Sequence, residues 1–295
     1  VSTPRFLGLP PGVRHTTVRT PMGSVAALQA TPAAGGCERQ PALLVPGYTG
    51  SKEDFIALLQ TLASAGRAVT AVDMPGQYQS PGFVDPEEYT RVGLGRVIGE
   101  VALTLDDGPV HLLGHSFGGL VTRETVISAT VPLLSFTLMS SGPSAIGGSR
   151  ALDARSLVAA IGQARTRERL EEIWAEHLDA PTRESGVSPE IHAFLRRRMV
   201  ANHPDALVRM AEELLNAVDR TPELARSQLP MLVLYGEEDD AWPPEAQSAM
   251  AGHLGAERVV IPGAAHSPNV EAPETTAEAL TAFWNQVESK ERGGA

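Results

Sequence analysis

Gly114-His115-Ser116-Phe117-Gly118-Gly119 places a serine between two glycines in the spacing G-x-S-x-G. An apolar run, Val110-His111-Leu112-Leu113, precedes it, and a helical pattern over 117–129 follows. In a chain with 28 glycines the bare pattern is weak, so the strand and helix on either side discriminate it from an ordinary glycine turn. A serine on so tight a turn is forced into strained φ/ψ. The flanking positions need Gly114 and Gly118 because a Cβ there collides with neighbouring backbone. The hydroxyl is pushed into the open, and the Phe117 amide and the positive end of the helix point at any oxyanion formed when Ser116 attacks a carbonyl.

A serine hydroxyl is a poor nucleophile near neutral pH, so this chemistry demands a general base and a group that orients the base. Of eight histidines, His266 alone lies in a loop just after the last strand pattern, in Ile261-Pro262-Gly263-Ala264-Ala265-His266. The other seven, His15, His111, His115, His177, His192, His203 and His253, read as surface or packing residues. The acid is sought in Glu237-Glu238-Asp239-Asp240, which closes the apolar run that begins at Met231. Asp239 or Asp240 there accepts the imidazole N–H, fixes the tautomer and stabilises the imidazolium.

The elements that must position these groups follow from periodicity. Runs 14–19 and 24–30 read as an opening hairpin around Pro21-Met22-Gly23. Short apolar runs at 42–45, 68–72, 110–113, 133–139, 231–234 and 258–261 read as buried strands. Helical patterns over 54–65, 86–105, 117–129 and 272–287 are long enough for right-handed crossovers. The sum is an α/β fold with a mostly parallel sheet flanked by helices. Residues 144–228 contain no strand pattern and read as a helical insertion, which divides the chain into a core domain, 1–143 with 229–295, and a cap. In the insertion Leu170, Ile173, Trp174, His177 and Leu178 share one helical face, as do Leu207, Met210, Ala211, Leu214, Leu215 and Val218. Ser188-Pro189-Glu190 is a helix start.

Composition excludes several classes. The chain has 295 residues, 42% hydrophobic and 20% charged, with a mean hydropathy of -0.07. It has neither the apolar poverty of disorder nor a membrane-spanning run, and a soluble globular protein is expected. With 24 basic against 35 acidic residues, net charge -11, it offers no basic surface for nucleic acid. A lone cysteine, Cys37, excludes an internal disulfide and any CxxC site, and reads as a loop thiol. The first 23 residues carry Arg5, Arg14 and Arg19 without a continuous apolar stretch, so a cytoplasmic location is expected. The preference for Arg over Lys fits a GC-rich bacterial genome. Neither repeats nor low-complexity runs occur, apart from the tail Gly293-Gly294-Ala295.

These motifs resemble the α/β-hydrolase superfamily, in the group that carries a helical cap, over nearly the whole chain. The order Ser116, Asp239, His266 is that of the family and of neither other well-known serine triad. Leu44-Val45-Pro46-Gly47-Tyr48 resembles the loop after the third strand, with Pro46 in place of the usual histidine. Asp73-Met74-Pro75-Gly76-Gln77-Tyr78-Gln79-Ser80 resembles DxPGxGxS, with Tyr78 where a second glycine is usual. Gly236-Glu237-Glu238-Asp239-Asp240-Ala241-Trp242-Pro243 matches GxxDxxxP and selects Asp239. His266-Ser267-Pro268-Asn269-Val270-Glu271-Ala272-Pro273-Glu274 resembles the histidine loop and its following helix.

The resemblance implies Ser116, Asp239 and His266 as catalytic residues, the Tyr48 and Phe117 amides as an oxyanion hole, and neither metal nor other cofactor. It implies a small-molecule acyl substrate, an ester, lactone or thioester, cleaved through an acyl-enzyme. Relatives that open epoxides or remove halide use aspartate where this chain has Ser116. A carbon–carbon bond hydrolase of vinylogous diketones is the alternative within enzymes. For that chemistry Arg123, or a cap arginine among Arg196, Arg197 and Arg198, would line the pocket, although exposed cap arginines are expected. A perhydrolase side activity is compatible with the same residues. A hydrolase-fold ligand receptor is the alternative from another class. Phe55 and Trp242 are read as packing residues rather than as the entrance.

Overall fold

The computed structural model describes residues 2–32, 38–106 and 108–293. Cys37 and the last two residues of the tail lie outside them. Eight strands form one sheet in the order β1-β2-β4-β3-β5-β6-β7-β8. They are β1 Val13–Thr20, β2 Gly23–Ala30, β3 Ala42–Val45, β4 Val69–Val72, β5 Val110–His115, β6 Leu133–Met139, β7 Met231–Gly236 and β8 Glu257–Ile261. The β1/β2 hairpin is antiparallel, with Val18 opposite Val25, and β2 joins β4 antiparallel. All remaining pairs are parallel.

Alternation along each central strand feeds two apolar clusters. On one face Leu43, Val45, Val110 and Leu112 meet α2 (Arg91–Leu105), α3 (Phe117–Ser128) and α10 (Pro244–Leu254) through Leu94, Ile98, Leu120, Val121 and Met250. On the other, Ala42, Leu44, Leu113 and Leu234 meet α1 (Ile56–Ser64) and α12 (Pro273–Gly293) through Leu58, Leu62, Leu280 and Trp284.

Between β6 and β7 the chain forms helices only: α4 Gly148–Ile161, α5 Arg167–Ile173, α6 Asp179–Glu184, α7 Pro189–Ala201, α8 Pro204–Leu215 and α9 Thr221–Ala225. Ser188 caps α7 by accepting from the Ile191 amide, with Pro189 in the first turn. The segment docks on the loops beyond β3 and β4. There the His203 amide donates to Gly76 O at 2.8 Å, and Arg198 Nη1 meets Asp54 Oδ1 at 2.6 Å.

Several local readings differ from the structure. The helix over 86–105 is a 3-10 turn, Pro86–Glu88, and then α2. Asp85 and Thr90 each cap a separate start, accepting from Glu87 N and Gly93 N. His177 is exposed, off the face of Leu170, Ile173 and Trp174. The reason is a π-helical turn at Trp174–Leu178, which widens the repeat beyond 3.6 residues and rotates the next residue away. Val218 is exposed because α8 ends at Leu215, and Ala217 packs in its place. Arg198, expected among exposed arginines, is buried. Among the described residues no helix is long and apolar enough to cross a membrane.

Candidate active site

Four loops at the carboxyl ends of β3, β5, β7 and β8 converge at one sheet edge, where open α/β sheets hold their sites. Ser116 sits between β5 and α3 with φ 55° and ψ −123°, conformationally strained for a residue with a Cβ. Its N–H donates to Met139 O at 2.9 Å, which fixes the turn against β6. A Cβ on Gly114 would strike Gly118 O, and one on Gly118 would strike Pro46 O. The two glycines are therefore required by close backbone approach.

The structure brings Ser116, His266 and Asp239 together. Ser116 Oγ lies 2.9 Å from His266 Nε2, and His266 Nδ1 lies 3.0 Å from Asp239 Oδ1. With the carboxylate on Nδ1, that nitrogen carries the proton and Nε2 is left to accept from the serine hydroxyl. Asp239 also accepts from the Ala241 amide and from Gln247 Nε2, each at 2.9 Å. Burial alone raises the Asp239 carboxyl, but the His266 hydrogen bond, its charge and these two donors outweigh burial and hold it below the usual carboxylate range. Asp240, the other acid left open by spacing, instead faces Arg150, which donates to both its oxygens at 3.0 Å.

The Phe117 amide is the first of α3, where helical N–H groups have no intrahelical acceptor. Opposite it is the loop of Gly47 and Tyr48. A Cβ at Gly47 would stand 3.0 Å from Ser116 Cβ and 3.4 Å from its Oγ, so this backbone lies directly against the hydroxyl. Gln77 Nε2 holds the loop by donating to Gly47 O at 2.9 Å. Its next neighbour, Tyr78, takes φ 38°, the left-handed conformation that glycine adopts without strain. Beneath them Lys52 is fully buried, with Nζ 2.9 Å from Asp73 Oδ2 and 2.8 Å from Gln79 Oε1.

Two residues around His266 escaped the sequence reading. His115 Nε2 lies 2.9 Å from His266 O, and the carboxylate of Glu271 accepts from the amides of Ala265 and Ser267. Their only sequence signals were adjacency to Ser116 and a place in the histidine-loop motif. Phe55 and Trp242 are both buried, and the Trp242 ring centroid lies 6.2 Å from that of His266. Among the described residues no group of three or more His, Cys, Asp or Glu is gathered for a metal ion.

Comparison with known proteins gives one consistent frame. Residues 42–279 match the alpha/beta hydrolase family. The dihydrolipoyllysine-residue acetyltransferase component of the acetoin cleaving system of Pseudomonas putida is 28% identical over 255 residues, 84% of this chain and 64% of that protein. This chain thus spans less than two thirds of that relative. The pimeloyl-[acyl-carrier protein] methyl ester esterase of Yersinia enterocolitica is 26% identical over 210 residues, 70% of this chain and 81% of that one. The structure of a thermophilic esterase from Thermogutta terrifontis superposes with a TM-score of 0.70 at 21% identity, covering 93% of this chain and 99% of that one. With the family match running from β3 into α12, the chain belongs to the alpha/beta hydrolase family.

Proposed function

We propose that the protein is a serine hydrolase of a small ester, lactone or thioester, with Ser116 as nucleophile, His266 as general base and acid, and Asp239 orienting His266. The observation that carries this reading is the unbroken hydrogen-bond chain from Ser116 Oγ through both nitrogens of His266 to Asp239. Ser116 attacks the carbonyl carbon as its proton passes to His266 Nε2, and the oxyanion is held by the Phe117 and Tyr48 amides. His266 then protonates the departing oxygen or sulfur, leaving an acyl-Ser116. Water, deprotonated by His266, attacks the acyl carbon and releases the acid.

In this reading residues 144–228 act as a cap over the site. An apolar cluster that includes Leu170, Trp174, Phe194, Met199 and Leu207 packs against Tyr48 and Tyr78 and so seats these helices against the loops beside Ser116. Three of the four arginines that a carbon–carbon bond hydrolase would place in its pocket have protein partners, and the fourth, Arg197, is exposed. Arg123 donates to Pro143 O and Val218 O, Arg196 pairs with Glu171, and Arg198 pairs with Asp54 and donates to Ser2 O. That pairing supports an uncharged carbonyl substrate over the carbon–carbon alternative.

The test is hydrolysis of p-nitrophenyl esters of graded acyl length. Ser116→Ala is expected to lower kcat by about 10⁴ to 10⁶, and Asp239→Asn by about 10⁴ through the wrong tautomer. Wild-type turnover in Ser116→Ala would overturn the proposal.

A further inference from the structure

His266 must keep its imidazole within hydrogen-bonding distance of two partners at once, yet it stands on an irregular stretch between β8 and the four-residue helix α11 (Pro268–Glu271). Such a segment needs external restraint, because displacement of a reacting group by about 1 Å costs about 10²-fold in rate. The backbone around His266 is held at three points. Glu271 takes the N–H groups of the residues on either side, and His115 takes the His266 carbonyl.

We propose that His115 is a positioning residue for His266, fixing the backbone of the proton carrier from the rigid end of strand β5. The inference deepens the serine-hydrolase reading and rests on it. His115 is the last residue of β5, paired in register with Met139 of β6. It adjoins Ser116, so one strand end sets the nucleophile and, through the Nε2–H, the base. The two imidazole rings lie 5.2 Å apart between centroids at 40°. The ring is buried, and Nδ1 has no hydrogen-bond partner among the described residues. Its side-chain bond is therefore the one to His266.

The ring's charge state suits this role. Burial first, and then the neighbouring His266, lower the His115 pKa to about 3, against the opposing pulls of the hydrogen bond to the His266 carbonyl and of Asp239. His115 stays neutral at working pH. It donates one N–H and sets no positive charge beside an imidazole that becomes positive during the reaction. A ring present for packing alone would be replaceable by an apolar side chain of similar size.

The experiment compares wild type, His115→Phe and His115→Gln in p-nitrophenyl ester hydrolysis and in the rate at which a fluorophosphonate labels Ser116. Loss of the donor in His115→Phe is expected to lower kcat and the labelling rate by about 10- to 100-fold, with KM within about threefold. His115→Gln, which restores an N–H to the carbonyl, is expected within about fivefold of wild type. Should His115→Phe fail to fold, His115→Met fills the space without a donor and takes its place. An unimpaired kcat in the apolar variant, an effect confined to KM, or a His115→Gln enzyme as slow as the apolar one would each overturn the inference. Absence of Ser116 labelling in wild type would instead overturn the serine-hydrolase reading.

Discussion

The Tyr48 hydroxyl donates to Leu207 O at 2.8 Å, joining the loop beside Ser116 to helix α8 between β6 and β7. Burial raises the Tyr48 phenol above its ordinary range, so it remains a neutral donor. Tyr48→Phe keeps the backbone amide and removes only this tie. The expected result is a stability loss of about 1 kcal/mol in urea melts and a rise in KM larger than any fall in kcat. A collapse of kcat at constant KM would mean that the hydroxyl takes part in the chemistry.

Gly47→Ala adds a methyl that meets Ser116 Cβ at 3.0 Å and Oγ at 3.4 Å. Ser116 or the loop must shift by a few tenths of an ångström. We expect kcat to fall by about 10- to 100-fold while the melting temperature drops little, since the crowding is confined to the reacting groups. Equal losses in both would mark a folding defect instead.

Arg198 of α7 brings a buried charge to the loop beyond β3, meeting Asp54 Oδ1 at 2.6 Å and Ser2 O at 2.7 Å. Arg198→Met leaves the Asp54 carboxylate buried and unpaired, at a cost of about 3–5 kcal/mol. Adding Asp54→Asn removes that stranded charge and is expected to recover part of the loss. Thermal melts of the single and double variants would show it, and a double variant no more stable than Arg198→Met would contradict the account.

On the face of the sheet covered by α1 and α12, Glu288 of α12 meets Arg67 at 2.7 Å and His111 at 3.2 Å, with Arg39 and Arg292 nearby. Burial alone raises the Glu288 carboxyl, but the His111 hydrogen bond and the Arg67 charge pull it down to about 2. A depressed carboxyl stabilises the fold above its unfolded value of 4.5 and loses that contribution as the pH falls towards 2. Wild type is therefore expected to melt progressively lower across that window. Glu288→Gln should be less stable at neutral pH with a shallower acid decline, and a parallel decline in both proteins would contradict the assignment.

The sheet was legible because each central strand is an apolar run bounded by turn residues, as at Ala42–Val45, and these runs alternate with helical periods. That Ser116, Asp239 and His266 meet was legible because each follows a strand end in a recognisable local motif. What periodicity could not reach depends on partners distant in sequence. Nothing near Arg198 announces Asp54, 144 residues away, and a packing histidine and one that grips the His266 carbonyl look alike in sequence. The π-helical turn at Trp174–Leu178 escaped for another reason, since a single widened turn is invisible to a fixed 3.6-residue repeat.

The central claim is that Ser116 is made nucleophilic by His266. Intact-mass and peptide mapping after brief exposure to a fluorophosphonate test it most directly. The account predicts one adduct per chain, located on Ser116, formed at least about 10²-fold more slowly in His266→Ala and absent in Ser116→Ala. An adduct elsewhere, or equal labelling rates with and without the imidazole, would contradict it.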